Sequence, residues 1–294
     1  MTIFMIDIHS HILPHLDDGA KDWNESLEMC EIALQDGIHT IVATPHMKPG
    51  VYLPTKELIF SKVKELNQRI RHEARGTRQE SKRPNSHPSP HTSRLTHHVP
   101  RTSPLVLTIL PGADTYFQPD ILRQIEEGNA LFLGEHGNPM NPMNSTNTMN
   151  FFRYLLLELP DYFLFPQVKE LIKELRSKHI VPILSHPERN SMIQRNKNIL
   201  KELIQAGALS QVTAMSLTGE FGKDIKKFSK TLLSHNLVHL IASDSHSKDR
   251  RPPILSPAVA EAAKVIGRDK AEMMVKDTPQ AIIEGKEVTI SHES

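Results

Sequence analysis

Short apolar runs alternate along this chain with longer stretches of helical period. The runs are Ile3–Ile8, Ile38–Ala43, Leu105–Leu110, Tyr154–Leu159, Ile180–Leu184, Leu209–Ala214 and Val238–Ala242. They are rich in Ile, Val and Leu at consecutive positions. A strand with one wet face would alternate apolar and polar residues. A run without alternation is buried on both faces, as parallel strands covered by helices are. Between the runs, Trp23–Gln35 repeats Leu27, Cys30, Ala33 and Leu34, and Thr55–Arg71 repeats Leu58, Ile59, Val63, Leu66 and Ile70. Pro166–Lys178, Asn196–Gln205, Phe221–Ser234 and Pro257–Ile266 follow the same period. Several end on stop signals before the next run: Asp36–Gly37, Lys178–His179, Ala206–Gly207 and His235–Asn236. Strand–helix alternation repeated seven times predicts a parallel α/β barrel, with an open doubly wound sheet as the alternative.

Two stretches break this rhythm. From Arg71 to Pro104 there are seven Lys or Arg, two Glu and five His, with almost no aliphatic residues. Residues 73–104 cannot bury a core and are expected to be a disordered insertion. Residues 134–150, rich in Asn, Met and Pro, are expected to be a second, loop-like insertion. The alternation resumes in phase after each, so residues 1–294 are read as one domain. The irregularly spaced His72, His87, His91, His97 and His98 have no acidic set beside them and are given no role.

Composition narrows the function. Lys plus Arg total 35 and Asp plus Glu 34, a net charge of +1, so no nucleic acid or anionic membrane is called for. The single cysteine, Cys30, excludes an internal disulfide and a Cys-rich zinc site, and points to a reducing compartment. The start, MTIFMIDIHSH, lacks the basic and apolar regions of a secretory signal. No apolar run approaches the ~20 residues of a membrane helix. A cytoplasmic protein is expected.

The chemistry lies just after the runs. His9 and His11 follow the first, His46 the second and Asp114 the third. Glu158 closes the fourth, His186 follows the fifth, and Asp244 and His246 follow the seventh. Only the sixth lacks an obvious ligand. In a parallel barrel the C-terminal strand ends converge on one face, where active sites form. One histidine after a strand is ordinarily a loop residue. His9 with His11, and Asp244 with His246, are spaced to point one way from a strand. A carboxylate ending an apolar strand, as Glu158 does, is costly unless paired or metal-bound. Imidazoles mixed with carboxylates suit Zn, Mn or Fe. The donors outnumber what one ion takes, so two or three ions are expected.

These boxes resemble a known family. Asp7-Ile-His-Ser-His11, Ala-Thr-Pro-His46, Ser-His-Pro-Glu-Arg189 and Ala-Ser-Asp-Ser-His246 are similar to the PHP superfamily (polymerase and histidinol phosphatase). Leu16-Asp-Asp-Gly19, Pro-Gly-Ala-Asp-Thr-Tyr116 and Arg251-Pro-Pro253 resemble its bacterial protein-tyrosine phosphatases of capsule and exopolysaccharide operons. The likeness covers nearly the whole chain apart from the insertions. It implies a distorted seven-stranded barrel with three divalent ions, often manganese. Carried over by motif, His9, His11, Asp114 and Asp244 hold the first ion. Asp114, Glu158 and His186 hold the second, and Asp18, His46 and His246 the third. Many relatives have Glu where this chain has Asp114.

Arg189 and Arg251 complete the set, since guanidinium groups grip phosphate oxygens in pairs. A plain surface or salt-bridging role is the alternative for each. The resemblance implies dephosphorylation of phosphotyrosine on a protein partner, a tyrosine kinase of polysaccharide export, by water that the metals activate. The alternatives are a small-molecule phosphatase of the histidinol-phosphate type and a non-catalytic, metal-binding regulatory barrel. Cys30 lies in a helical apolar stripe with no phosphate-binding loop after it, so it is not expected to be a nucleophile.

Overall fold

The computed structural model describes residues 4–80, 107–135 and 151–288. It contains all seven runs as parallel strands, and two more short ones. In chain order the strands are β1 (Met5–Ser10), β2 (Ile38–Ala43), β3 (His46–Met47), β4 (Thr108–Pro111), β5 (Asp114–Tyr116), β6 (Arg153–Glu158), β7 (Ile180–Ser185), β8 (Leu209–Thr213) and β9 (Leu240–Ala242). They form a sheet of order β1-β2-β4 and a second of order β3-β5-β6-β7-β8-β9. β3 continues β2 after a break at Thr44–Pro45, and β5 continues β4 after a break at Gly112–Ala113. Proline cannot donate to a ladder, so Pro45 marks where β2 leaves its sheet. The break puts His46 directly beside Asp114 in the next sheet. Beyond β9 the chain returns to β1: Asp244 N donates to His9 O and His11 N to Ser245 O, both at 2.8 Å. Buried Asp7 ties the same seam by accepting from Ser243 N at 3.0 Å.

Both faces of the strands are buried, as the unbroken apolar runs require. Leu155 and Leu157 of β6 pack in the larger cluster with the helices, while Tyr154 and Leu156 join a smaller cluster with Ile8, Val42, Ile183, Leu209 and Leu240. Each fully buried Leu or Ile contributes roughly 1.5–3 kcal/mol. The alternation that sends Leu156 into the smaller cluster sends Glu158 the same way, and Leu209 is likewise followed by Gln211 and Thr213.

The principal helices are α1 (Trp23–Asp36), α2 (Lys56–Glu80), α4 (Val168–Ser177), α6 (Asn198–Gln205), α8 (Lys223–Ser234) and α9 (Ser256–Ile266). Asp22 caps α1 by accepting from Glu25 N. All four predicted stops turn left-handed, with φ of 93°, 56°, 114° and 54° at Gly37, His179, Gly207 and Asn236. Among the described residues five short helices went unforeseen: α3 (Ile121–Glu126), α5 (Ser191–Arg195), α7 (Ala214–Thr218), α10 (Arg268–Met273) and α11 (Asp277–Ile283). Two turns or fewer hold too few apolar positions to display a period. α2 runs on to Glu80, past the start of the segment expected to be an insertion. Residues 81–106 of that segment, and 136–150 of the second insertion, lie outside the described residues.

Candidate metal centre

The C-terminal ends of the strands bring all nine candidate ligands together. His9, on β1, has Nε2 3.2 Å from His11 Nε2, 3.4 Å from Asp244 Oδ1 and 3.6 Å from Asp114 Oδ2. His11 Nε2 is 3.5 Å from the same Asp244 oxygen. Asp114, on β5, has Oδ2 3.2 Å from His46 Nδ1, which is itself 3.6 Å from Glu158 Oε2. Asp18 Oδ1 lies 3.7 Å from His46 Nε2 and 3.6 Å from His246 Nε2. His186 Nε2 stands 3.9 Å from Glu158 Oε1.

Three sets of donor atoms converge closely enough to hold an ion: His9, His11 and Asp244; His46, Asp114 and Glu158; and His11, Asp18, His46 and His246. The resemblance implied His186 with Asp114 and Glu158, and His46 with Asp18 and His246. Here His46 faces both ways, because its place on β3 opposite Asp114 turns Nδ1 to one set and Nε2 to the other. His186 sits behind, against Glu158 and Ser185 Oγ.

The donor chemistry fits cations. His46 Nδ1, Asp114 Oδ2 and Glu158 Oε2 are buried and meet no hydrogen-bond partner. Buried polar atoms are almost always paired. One imidazole nitrogen and two carboxylate oxygens converging in this way are a donor set that a divalent ion would satisfy.

Other side chains hold the ligands in place. His9 Nδ1 is 2.9 Å from Gln211 Oε1 on β8 and donates to it, leaving Nε2 with its lone pair toward the other ligands. His11 Nδ1 donates to Asp17 Oδ2 at 2.6 Å, and Asp17 also accepts from the backbone of His46 and Gly19. The Asp17–Asp18 pair therefore divides its work: Asp17 orients His11, while half-exposed Asp18 faces His46 and His246. Gly19 permits this, since a Cβ there would lie 2.0 Å from His11 O. His15 is exposed and outside the cluster. Gln211 was missed in the sequence, and Asp17 was read there only as a neighbour of Asp18 in the Leu16-Asp-Asp-Gly19 box. The signal for Gln211 was its i, i+2 spacing with Thr213, which sets two polar side chains on one face of a fully buried strand.

Arg189 and Arg251 both come to Asp244 Oδ2, at 2.6 Å and 2.5 Å. Asp244 thus presents one oxygen to the imidazoles and the other to the guanidinium groups. Burial works against its charge, but Arg189, His9 and Arg251 hold it well below the usual carboxylate range. Burial lowers His9, and burial with the Arg189 charge lowers His186 further. Burial and the charge of His11 bring His246 down to about 2. These imidazoles are neutral at pH 7, the form that binds metal. For His11, burial is outweighed by the charge and hydrogen bond of Asp17, which push it up to about 10. Burial and the neighbouring Asp114 charge push Glu158 up to about 7. His186 and Asp244 adopt left-handed backbone, with φ of 35° and 52°. Cys30 is buried in the core on α1, and burial raises its thiol.

Parallel strands ending on shared imidazoles and carboxylates, with two arginines alongside, define an α/β protein with the donor set of a divalent-metal centre. The chain belongs to the family described as capsular polysaccharide synthesis, CpsB/CapC, which matches residues 5–81 and 75–284. It is 30% identical to the tyrosine-protein phosphatase YwqE of Bacillus subtilis (strain 168) over 273 residues, 93% of this chain and 89% of YwqE. It is 28% identical to the tyrosine-protein phosphatase CpsB of Streptococcus pneumoniae, covering 95% of this chain and 98% of CpsB. Among solved structures, one from work on YwqE and CpsB as metal-dependent tyrosine phosphatases superposes with a TM-score of 0.79 at 29% identity, covering 98% of this chain and 97% of that one.

Proposed function

We propose that this chain is a metal-dependent protein-tyrosine phosphatase whose partner is a phosphotyrosine protein, a bacterial tyrosine kinase of polysaccharide synthesis or export. The observation that carries this reading is the meeting of two arginines and a ring of metal donors at one carboxylate, Asp244. A phosphate monoester needs both partners: cations for its charge, and planar donors for its peripheral oxygens.

Three ions fit the donor sets, manganese foremost with iron, cobalt and zinc as alternatives. His9, His11 and Asp244 serve one. His46, Asp114 and Glu158, backed by His186, serve another. Asp18, His46 and His246, with His11, serve the third. Asp114 Oδ2, 3.6 Å from His9 Nε2 and 3.2 Å from His46 Nδ1, would serve the ions of both neighbouring sets. Bound there, the ions supply Lewis acidity and acidify water. The protein does the rest. Arg189 and Arg251, held beside Asp244 Oδ2, offer their remaining N–H groups to the phosphate's outer oxygens and stabilise the charge that moves there. Gln211 and Asp17 fix the rings of His9 and His11. Thr213 Oγ1 donates to Asp244 Oδ2 at 3.5 Å and helps to fix that carboxylate.

The two sheets act as one distorted seven-stranded barrel of the PHP type, with β2–β3 and β4–β5 each a single broken strand and the β1–Ser245 bonds as the seam. Residues 1–294 form one domain carrying the two insertions. Among the described residues no helix is long and apolar enough to cross a membrane, which suits a cytoplasmic enzyme.

The test assays the purified full chain on a phosphotyrosine peptide and on histidinol phosphate, with its metals counted. The peptide should be hydrolysed, the activity lost on chelation and restored by Mn, Co or Fe. Full activity in a metal-free sample would sink the reading. Preference for histidinol phosphate would move it to the small-molecule class.

A further inference from the structure

Strand β8 supplies no metal donor, yet the loop beyond it reaches the arginines. Phe221 lies there, half-buried, between α7 and α8. Its ring centroid is 5.4 Å from Arg189 Cζ and 5.8 Å from Arg251 Cζ. Both guanidinium groups converge on a single oxygen, Asp244 Oδ2. Two cations so close repel each other. Nε of Arg189 and Nε of Arg251 are buried and find no hydrogen-bond acceptor. One carboxylate oxygen therefore cannot by itself fix how the two forks are turned. An aromatic face, negative at its centre, can attract both. The loop is built to present it. Gly222 N donates to Gly219 O at 2.9 Å, and Gly222, with φ of 100°, starts α8 in a conformation closed to other residues.

We infer that Phe221 is the positioning residue for the arginine pair: its ring holds both guanidinium groups so that a phosphate meets them as a preformed fork. This rests on the reading that Arg189 and Arg251 grip phosphate. Phe221 has no polar side-chain atom to offer the reacting atoms or a metal ion. Its effect belongs to the binding of the oxyanion, and only through the arginines.

The experiment uses the full chain loaded with Mn. Inorganic phosphate is titrated in by calorimetry, kcat and KM are measured on a phosphotyrosine peptide, and metals are counted in each sample. Phe221→Leu keeps the bulk and removes the ring face. It should weaken phosphate binding about tenfold, the size expected for two cation–π contacts. kcat/KM should fall by at least a similar factor, since ground and transition states both lose the arginines' fixed orientation, and less than in Arg189→Ala because both guanidinium groups remain. Metal content should not move. Phe221→Tyr restores the ring and should recover most of the phosphate affinity, whereas Phe221→Met should behave as the Leu variant does. Wild-type phosphate affinity in both Leu and Met variants would overturn the inference, and so would equal losses in Leu and Tyr. Phosphate binding that depends on this ring in a protein that hydrolyses no phosphotyrosine would uphold the positioning role and remove the phosphatase reading. Phosphatase activity with phosphate affinity indifferent to the ring would do the reverse.

Discussion

His9, His11 and Asp244 face the same ring as His46, Asp114 and Glu158, but only the first three are gripped from behind. Gln211 holds His9, Asp17 holds His11, and two arginines hold Asp244. Across the ring, Asp114 has a single 3.2 Å bond from Ser185 to its other oxygen, while His46 Nδ1 and Glu158 Oε2 have no partner. The difference is one of preorganisation. The braced side has its rotamers and tautomers set by protein hydrogen bonds, so an ion arriving there has little to order. On the other side the ion itself must supply the interaction that burial has removed. The unbraced side should accordingly release its ion first under mild chelation.

The largest effect should come from breaking the unbraced side at its centre. Asp114→Ala should lose at least one ion and nearly all activity, whereas Asp114→Glu, which lengthens the reach, should be tolerated. Metal content equal to wild type in the Ala protein would mean that the bridge lies elsewhere and that the two sides do not share it. Next in size is Arg189→Ala. Removing a donor to developing charge typically costs ~10²-fold in rate. We expect that loss in kcat with metal content unchanged, and only partial recovery in Arg189→Lys, because an ammonium lacks the planar fork. Near-normal turnover with a lowered Tm would leave Arg189 as no more than the counter-charge of Asp244. Gln211→Leu removes a brace but no candidate ligand. Metal affinity should fall by about 10–100-fold, as it does for other outer partners of a ligand histidine. If the ion lost first is still the one at His46 and Glu158, Gln211 is not what stabilises the braced side. The smallest effect belongs to Cys30→Ser. That thiol is buried in the core on α1, so the Tm should drop slightly while kcat per bound metal stays at the wild-type value.

The apolar runs announced the strands because burial on both faces leaves no polar positions to blur them. The candidate donors other than Asp18 stood out for a related reason: a His, Asp or Glu at the end of such a run or just past it is costly to bury and contrasts with its apolar neighbours, whereas Asp18 came only from the resemblance. What stayed hidden depends on contacts distant in sequence. Nothing local to His46 indicates that β2 breaks at Pro45 and re-enters the other sheet opposite Asp114, so its two-way role could not be read. Gln211 is an ordinary polar residue until His9, 202 positions away, is placed beside it. The convergence of Arg189 and Arg251 on one oxygen joins loops that only the fold brings together.

The left-handed backbone at His186 has a consequence for descent. With φ of 35° and ψ of 50°, it sits where glycine is at ease and a side chain costs on the order of 1 kcal/mol. Its imidazole is buried against Glu158, and burial with Arg189 keeps it neutral. Selection for stability alone would replace it with Gly or Asn, and would do so early in any gene copy released from chemistry. Among duplicated members of the family, the residue at this one backbone position should therefore separate working copies from drifting ones before any metal ligand elsewhere has changed.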